Sequence, residues 1–283
     1  MTIREIVKEG LYYARTCRSL WLFGFFVGIA NGGSNGGGGG GGGHDAGGAA
    51  VGGGFLDLSA TAIALIVLVV ILAAATAFVM RFVGEGALIE GIVRARQGGV
   101  MTTRDGFRAG WAHWGVLVRI ALLYLVLLLG SLAVLAAICA ITWQALGALA
   151  TIMLGIPALV VAVPWLVTLY LVQAFAARIA VLEGRQALDA IGKARLFLHG
   201  RLFHGLKLMV AMFVGTLWIA LLAIATMAPL ALLLVALIPV LGVLPVIVVA
   251  CLVLLPLVGV LTAMLGTFRS SVWTIGYVTQ VES

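Results

Sequence analysis

From Ile63 to Met80, and again from Leu208 to Ile238, the chain passes no charged residue. Uncharged apolar runs of this length constrain the fold more than any other feature. A helix rises about 1.5 Å per residue, so about 20 apolar residues cross a hydrocarbon core about 30 Å thick. Within that core each backbone N–H and C=O must be satisfied by the segment itself or by a closed barrel. A barrel strand would alternate polar and apolar residues over about ten positions, and these runs do not alternate. The chain is 63% hydrophobic and 10% charged, whereas soluble domains carry about a quarter charged residues. The expected class is an all-α, polytopic helical membrane protein forming a single membrane domain over 1–283.

Six segments qualify as crossings: about 19–31, 56–82, 115–143, 148–177, 205–236 and 243–268. The first is short. It reaches across only if its helix begins near Leu11 and Arg15 and Arg18 extend back to the headgroups. Charge location fixes the parity. All 17 Lys and Arg lie before Ser19, between Arg81 and Arg119, between Arg178 and Lys207, or at Arg269. The connections 31–55, 144–147 and 237–242 hold none. Only an even number of crossings puts every cation on one side, which the positive-inside rule assigns to the cytoplasm. Six crossings follow, with both termini cytoplasmic, in a multi-pass cell-membrane protein of the bacterial inner-membrane kind. The net charge of +7 is then a loop property, and no nucleic-acid partner is inferred from it. The glycine-rich stretch 31–55 falls outside the cell. Polyglycine has no side chain to bury and much backbone entropy to lose, so it reads as a flexible tether between helices one and two.

Two basic connectors, 83–114 and 178–204, occupy the opposite side. In the first, Gly84, Ala87, Gly91 and Ala95 form a small-residue ridge suited to close helix contact. Arg81–Glu85 and Glu90–Arg94 are i,i+4 pairs. Phe107, Trp111, Trp114 and Val118 then share one helical face, with Arg104 and Arg108 off it. Two readings fit: an amphipathic interfacial helix along the headgroups, or tryptophans anchoring the end of helix three. Gly106 and Gly110 weaken a helix there. The second connector repeats the design with Ala187, Ile191, Ala194 and Leu198, an Asp189–Lys193 pair, and an Arg…Glu-Gly start at Arg178, Glu183 and Gly184 that parallels Arg81, Glu85 and Gly86. A further seam, Gly259, Ala263, Thr267 and Ser271, runs along helix six. It suits packing within the chain or against another copy.

The stretch VLEGRQALDAIGKARLFLHGRLFHGLKLMV resembles a segment of bacterial polytopic proteins related to the membrane domain attached to some glycerophosphodiester phosphodiesterases. Glu183, Gly184, Ala187, Leu188, Ala194, Leu196 and Gly200 carry the likeness, which covers about forty residues. In that group catalysis belongs to an attached soluble barrel, so the resemblance implies a membrane domain and no hydrolysis.

No HExxH, GxSxG or P-loop pattern occurs, and His113, His199 and His204 do not share a face. Cys17, Cys139 and Cys251 have no metal or disulfide spacing. Neither a cofactor nor a metal is expected. Crossings two to six carry no ionisable residue near their midpoints, which disfavours proton coupling. The expectation is a non-enzymatic scaffold or accessory subunit that engages anionic lipids or a partner protein at the cytoplasmic face. Arg94, Arg96, Arg104, Arg108, Trp111, Trp114, Arg185, Lys193, Arg195 and Arg201 are the candidate contacts. Gly84, Gly91, Gly259 and Ala263 are the candidate helix-packing positions. The alternative is a channel or transporter for a neutral or lipidic solute, built on breaks at Pro157, Pro164, Pro229, Pro245 and Pro256.

Overall fold

The structure, a computed structural model, describes residues 2–35 and 60–282. The tract 36–59, and with it most of the expected external loop, lies outside the described residues. Regular structure among the described residues is helical throughout. It comprises α1 (Ile3–Thr16), a 3-10 turn (Arg18–Leu20), α2 (Trp21–Asn35), α3 (Ala60–Arg96), α4 (Thr103–Leu182), α5 (Ala187–Leu198), α6 (Leu202–Ala236), α7 (Ile238–Leu241) and α8 (Val243–Glu282). Helix α4 is two arms joined at Gly147, where φ is 79° and ψ 179°. That left-handed φ is open to glycine because it lacks a Cβ. Across the arms the Trp165 indole N–H donates to the Ser131 hydroxyl at 3.0 Å.

Five helical segments are long and apolar enough to cross a membrane: Ala64–Arg96, Thr103–Ala145, Thr151–Leu182, Leu202–Ala236 and Val243–Val281. The chain is thus a multi-pass, all-helical membrane protein by length and composition. The expected first crossing takes a different form. It does not run from Leu11 into Ala30, because α1 ends at Cys17, whose φ of −88° and ψ of 75° leave the helical region. The 3-10 turn follows, and α2 has 15 residues, about 22 Å at the helical rise. The two pieces differ in character. Helix α1 buries Ile6, Gly10 and Ala14 on one side and exposes Arg4, Lys8 and Arg15 on the others. Such a two-faced helix favours an interface over a crossing. A Thr2–Glu5 capping box starts it, satisfying N–H groups the first turn leaves open. The Trp21 indole N–H donates to the Ala14 carbonyl at 2.7 Å, tying α2 to α1 across the turn.

The packed core gathers at one end of the bundle, the end that holds the charges. Phe23, Leu88, Ile92, Phe175, Leu208 and Phe268 meet there with at most 1% exposure. Helices α2 and α8 run antiparallel in close contact. A Cβ on Gly24 would collide with Thr267 and the Ala263 carbonyl, and one on Gly266 with the Gly24 carbonyl. Gly24 and Gly28 are four residues apart on one face, so both can press their backbone against α8, the small-residue mode of membrane helix packing. Thr267 and Ser271 donate to the carbonyls of Ala263 and Thr267 at 2.9 and 2.8 Å, so neither hydroxyl is stranded in the seam.

At the other end the spans turn apolar side chains outward. Every residue from Leu65 to Leu72 is more than half exposed in the isolated chain. That surface suits hydrocarbon, since lipid tails are as apolar as the side chains. Pro157 and Pro164 lie within α4, Pro229 within α6, and Pro245 and Pro256 within α8.

Candidate functional site at the charged end of the bundle

Four sequence regions meet at the charged end: α1, the α3–α4 junction, the segment from the end of α4 through α5, and the end of α8. Ion pairs and hydrogen bonds join them. Arg96, at the end of α3, lies 3.6 Å from Glu9 of α1. Glu183, just past α4, accepts from Arg185 Nε at 3.1 Å, from Lys193 of α5, and from the Tyr277 hydroxyl of α8 at 2.8 Å. Burial pushes the Glu183 carboxyl up, but the hydrogen bonds from Lys193, Tyr277 and Arg185 outweigh it and hold the group below its ordinary value. Lys193 therefore serves Glu183, where the sequence pointed to Asp189. Edge-to-face aromatic packing reinforces the joint: Phe175 and Trp273 lie 5.5 Å apart at 87°.

The sequence-derived contact residues divide into engaged and open groups. Arg94 pairs with Glu90 at 2.6 Å, as the i,i+4 spacing suggested. Arg185 and Lys193 converge on Glu183. Arg201 donates to the Gln280 carbonyl at 3.1 Å and sits 5.5 Å over the Phe197 ring. Arg104, Arg108 and Arg195 are exposed, and among the described residues none of the three forms an ion pair within 4.0 Å. Trp111 and Trp114 stack at 5.8 Å and 32°, with Trp111 exposed.

Residues 103–114 are the opening turns of α4, continuous with the span, not a separate helix lying along the surface. The side of this segment that packs is the glycine side. Gly106 faces the Phe23 ring, and Gly110 faces the Val83 carbonyl of α3. The glycines that count against helix by propensity here allow α4 to approach α2 and α3. Gly84 faces the Phe23 carbonyl, Gly91 faces Leu20 and Met101, and Gly259 faces the Phe25 ring. Ala263 is buried against α2.

Between α3, both arms of α4, α6 and α8 lies a cavity of about 510 Å³. Arg81, Arg178 and Arg269 line it with the carboxylate of Glu85. Arg178 is 5% exposed. Its Nη1 donates to the Ala174 carbonyl at 2.6 Å and lies 3.6 Å from Glu85. The Arg178 Nε is buried with no acceptor. Arg269 Nε reaches the Thr216 hydroxyl at 3.5 Å, and the Arg81 guanidinium stands 5.6 Å from the Phe82 ring centre. Sequence reasoning did not single out this cluster because it looked for ionisable groups at span midpoints. The available signal was an arginine just inside the charged end of three separate apolar runs. Gly24 and Gly28, the α2 face of the α8 seam, were also missed, although their four-residue spacing was visible.

No protein-family model, curated protein or solved structure matches the chain.

Proposed function

We propose that this protein is a non-enzymatic, multi-pass protein of the bacterial inner membrane whose charged end faces the cytoplasm and engages anionic inner-leaflet lipids. The observation that carries the reading is the trio Arg104, Arg108 and Arg195. They stand exposed at the end where the cations collect, while their neighbours are already held by Glu90, Glu183 or the Gln280 carbonyl. A basic residue near an anionic surface contributes about 1 kcal/mol. Lipid contacts therefore belong first to these three, with Trp111 and Trp114 beside them at headgroup level.

The test is reconstitution in mixed phosphatidylglycerol and phosphatidylcholine, with spin-labelled lipids reporting which headgroup the protein surface prefers. Wild type should enrich phosphatidylglycerol. The triple variant R104Q/R108Q/R195Q, and wild type in about 1 M salt where the screening length is about 3 Å, should lose most of that preference. An unchanged preference in the triple variant sinks the surface reading.

A further inference from the structure

The cavity framed by Arg81, Arg178 and Arg269 is a distinct feature from the exposed trio, and its chemistry is more specific. Three guanidiniums face a single carboxylate, Glu85. The lining therefore gathers three cationic side chains and one anionic one, in a protein wall where screening by water is reduced. Arg178 is more than nine-tenths buried, and its Nε donor has no acceptor. A buried donor left unmet costs about 1–3 kcal/mol, and more when it belongs to a charged group. An incoming anion would relieve that cost. Gln173 and Tyr124 add neutral polar groups to the same lining.

The rest of the lining identifies the kind of anion. Phe78 of α3, with Leu122 and Leu125 of α4, lines the same cavity and is 45–51% exposed on the apolar perimeter. The cavity is therefore polar where Arg178 and Ser270 are buried and apolar where it opens toward lipid. A free inorganic anion has no use for that apolar opening. An amphiphile fits both parts, with its headgroup on the arginines and its chains leaving past Phe78. Ligand pockets fall mostly between about 300 and 1,000 Å³, so a volume of about 510 Å³ is ample for a glycerophosphate headgroup. We propose that this cavity binds the phosphate-bearing headgroup of a single anionic membrane lipid. Arg178 and Arg269 supply charge-assisted hydrogen bonds, and the acyl chains pass between α3 and the outgoing arm of α4.

The experiment uses the full chain, reconstituted in mixed phosphatidylglycerol and phosphatidylcholine and extracted in mild detergent at high salt. Native mass spectrometry then counts retained lipids. High salt strips lipids held at the exposed surface and screens the buried site far less, so this test does not depend on the surface trio. Wild type and R104Q/R108Q/R195Q should both retain one phosphatidylglycerol. Arg269→Gln should lower its occupancy about tenfold or more, the loss expected when a charged hydrogen-bond partner is removed. Arg178→Lys, which keeps the charge but not the planar fork, should fall between. Arg269 makes only a long hydrogen bond to Thr216, so its variant folds even where Arg178 variants do not. Equal retention by wild type and Arg269→Gln overturns the proposal, as does equal retention of phosphatidylcholine. Thermal stabilisation by inorganic phosphate as large as that by phosphatidylglycerol also overturns it, because a soluble anion would then be the occupant.

Discussion

Glu183 collects donors from three segments, and each donor fixes a different neighbour: Arg185 the chain just after α4, Lys193 the α5 helix, Tyr277 the end of α8. Its side chain remains 26% exposed, so solvent weakens each interaction and the whole cluster is worth about 1 kcal/mol. The sign of its pH dependence follows from the lowered carboxyl. A glutamate in the unfolded chain titrates near 4.5. Above that value the stabilisation from a depressed folded pKa is fully present, and it is lost as pH falls through the folded pKa. Thermal midpoints of wild type and Glu183→Gln, measured in detergent, should differ by a constant amount from neutral pH down to about 5. The gap should narrow as pH falls progressively below 4.5, because wild type then takes up a proton and loses the charge that glutamine never carries. A gap that shows no dependence on pH in acid would mean that Glu183 acts through packing and not through charge. The sequence marked Glu183 only as part of an Arg…Glu-Gly start. Its link to Tyr277 was out of view because that residue lies 94 positions away.

Helices whose partners share their own stretch of chain are readable from periodicity, and α5 shows how far that goes. The spacing of Ala187, Ile191, Ala194 and Leu198 anticipates the buried face, which is Ala187, Ala190, Ala194 and Leu198. Ile191 is half-buried and packs against the same core, so the face takes in Ala190 beside it. The opening of α4 was less legible. Gly106 and Gly110 look like helix breakers until Phe23 and Val83 are placed against them, and those partners come from α2 and α3. The break at Cys17 was hidden for a similar reason: a single helix from Leu11 to Ala30, with Arg15 and Arg18 extended to the headgroups, fits the sequence unless the burial of Ile6, Gly10 and Ala14 on a separate face is known. The α2–α8 contact makes the difference measurable. Gly266→Leu drives a side chain into the Gly24 carbonyl and should cost about 3 kcal/mol, the upper end of ordinary overpacking. Gly192→Ala, at an exposed α5 position with nothing within 4 Å of its Cβ, should gain up to about 1 kcal/mol from helix propensity. Thermal midpoints in the same detergent compare the two directly, and similar small effects at both sites would mean that α2 does not press on α8 as described.

Across the whole molecule, four clusters of cations that are far apart in sequence come together at one end. Arg96 reaches Glu9, Arg201 reaches the Gln280 carbonyl, and Arg178 reaches Glu85. The sequence placed these clusters on one side of a membrane but could not show that they touch, because sidedness follows from counting crossings and contact requires three dimensions. The contacts bear on the parity argument in turn. α1 sits against the charged end, so α2, α3, both arms of α4, α6 and α8 must cross an even number of times in total to return the α8 terminus to the same place. Beside the five long spans, the proposed topology assigns the sixth crossing to α2. In the proposed orientation, with Cys17, Cys139 and Cys251 replaced by alanine, Gln144→Cys near the Gly147 bend should react with a membrane-impermeant maleimide on intact cells. His199→Cys, at the end of α5, should react only after permeabilisation. Both positions are exposed, so silence at either reflects sidedness and not burial. The reverse pattern would turn the charged end outward and remove the inner-leaflet lipids from its reach. Labelling of both positions on intact cells would place an even number of crossings between them and contradict a crossing by the second arm of α4.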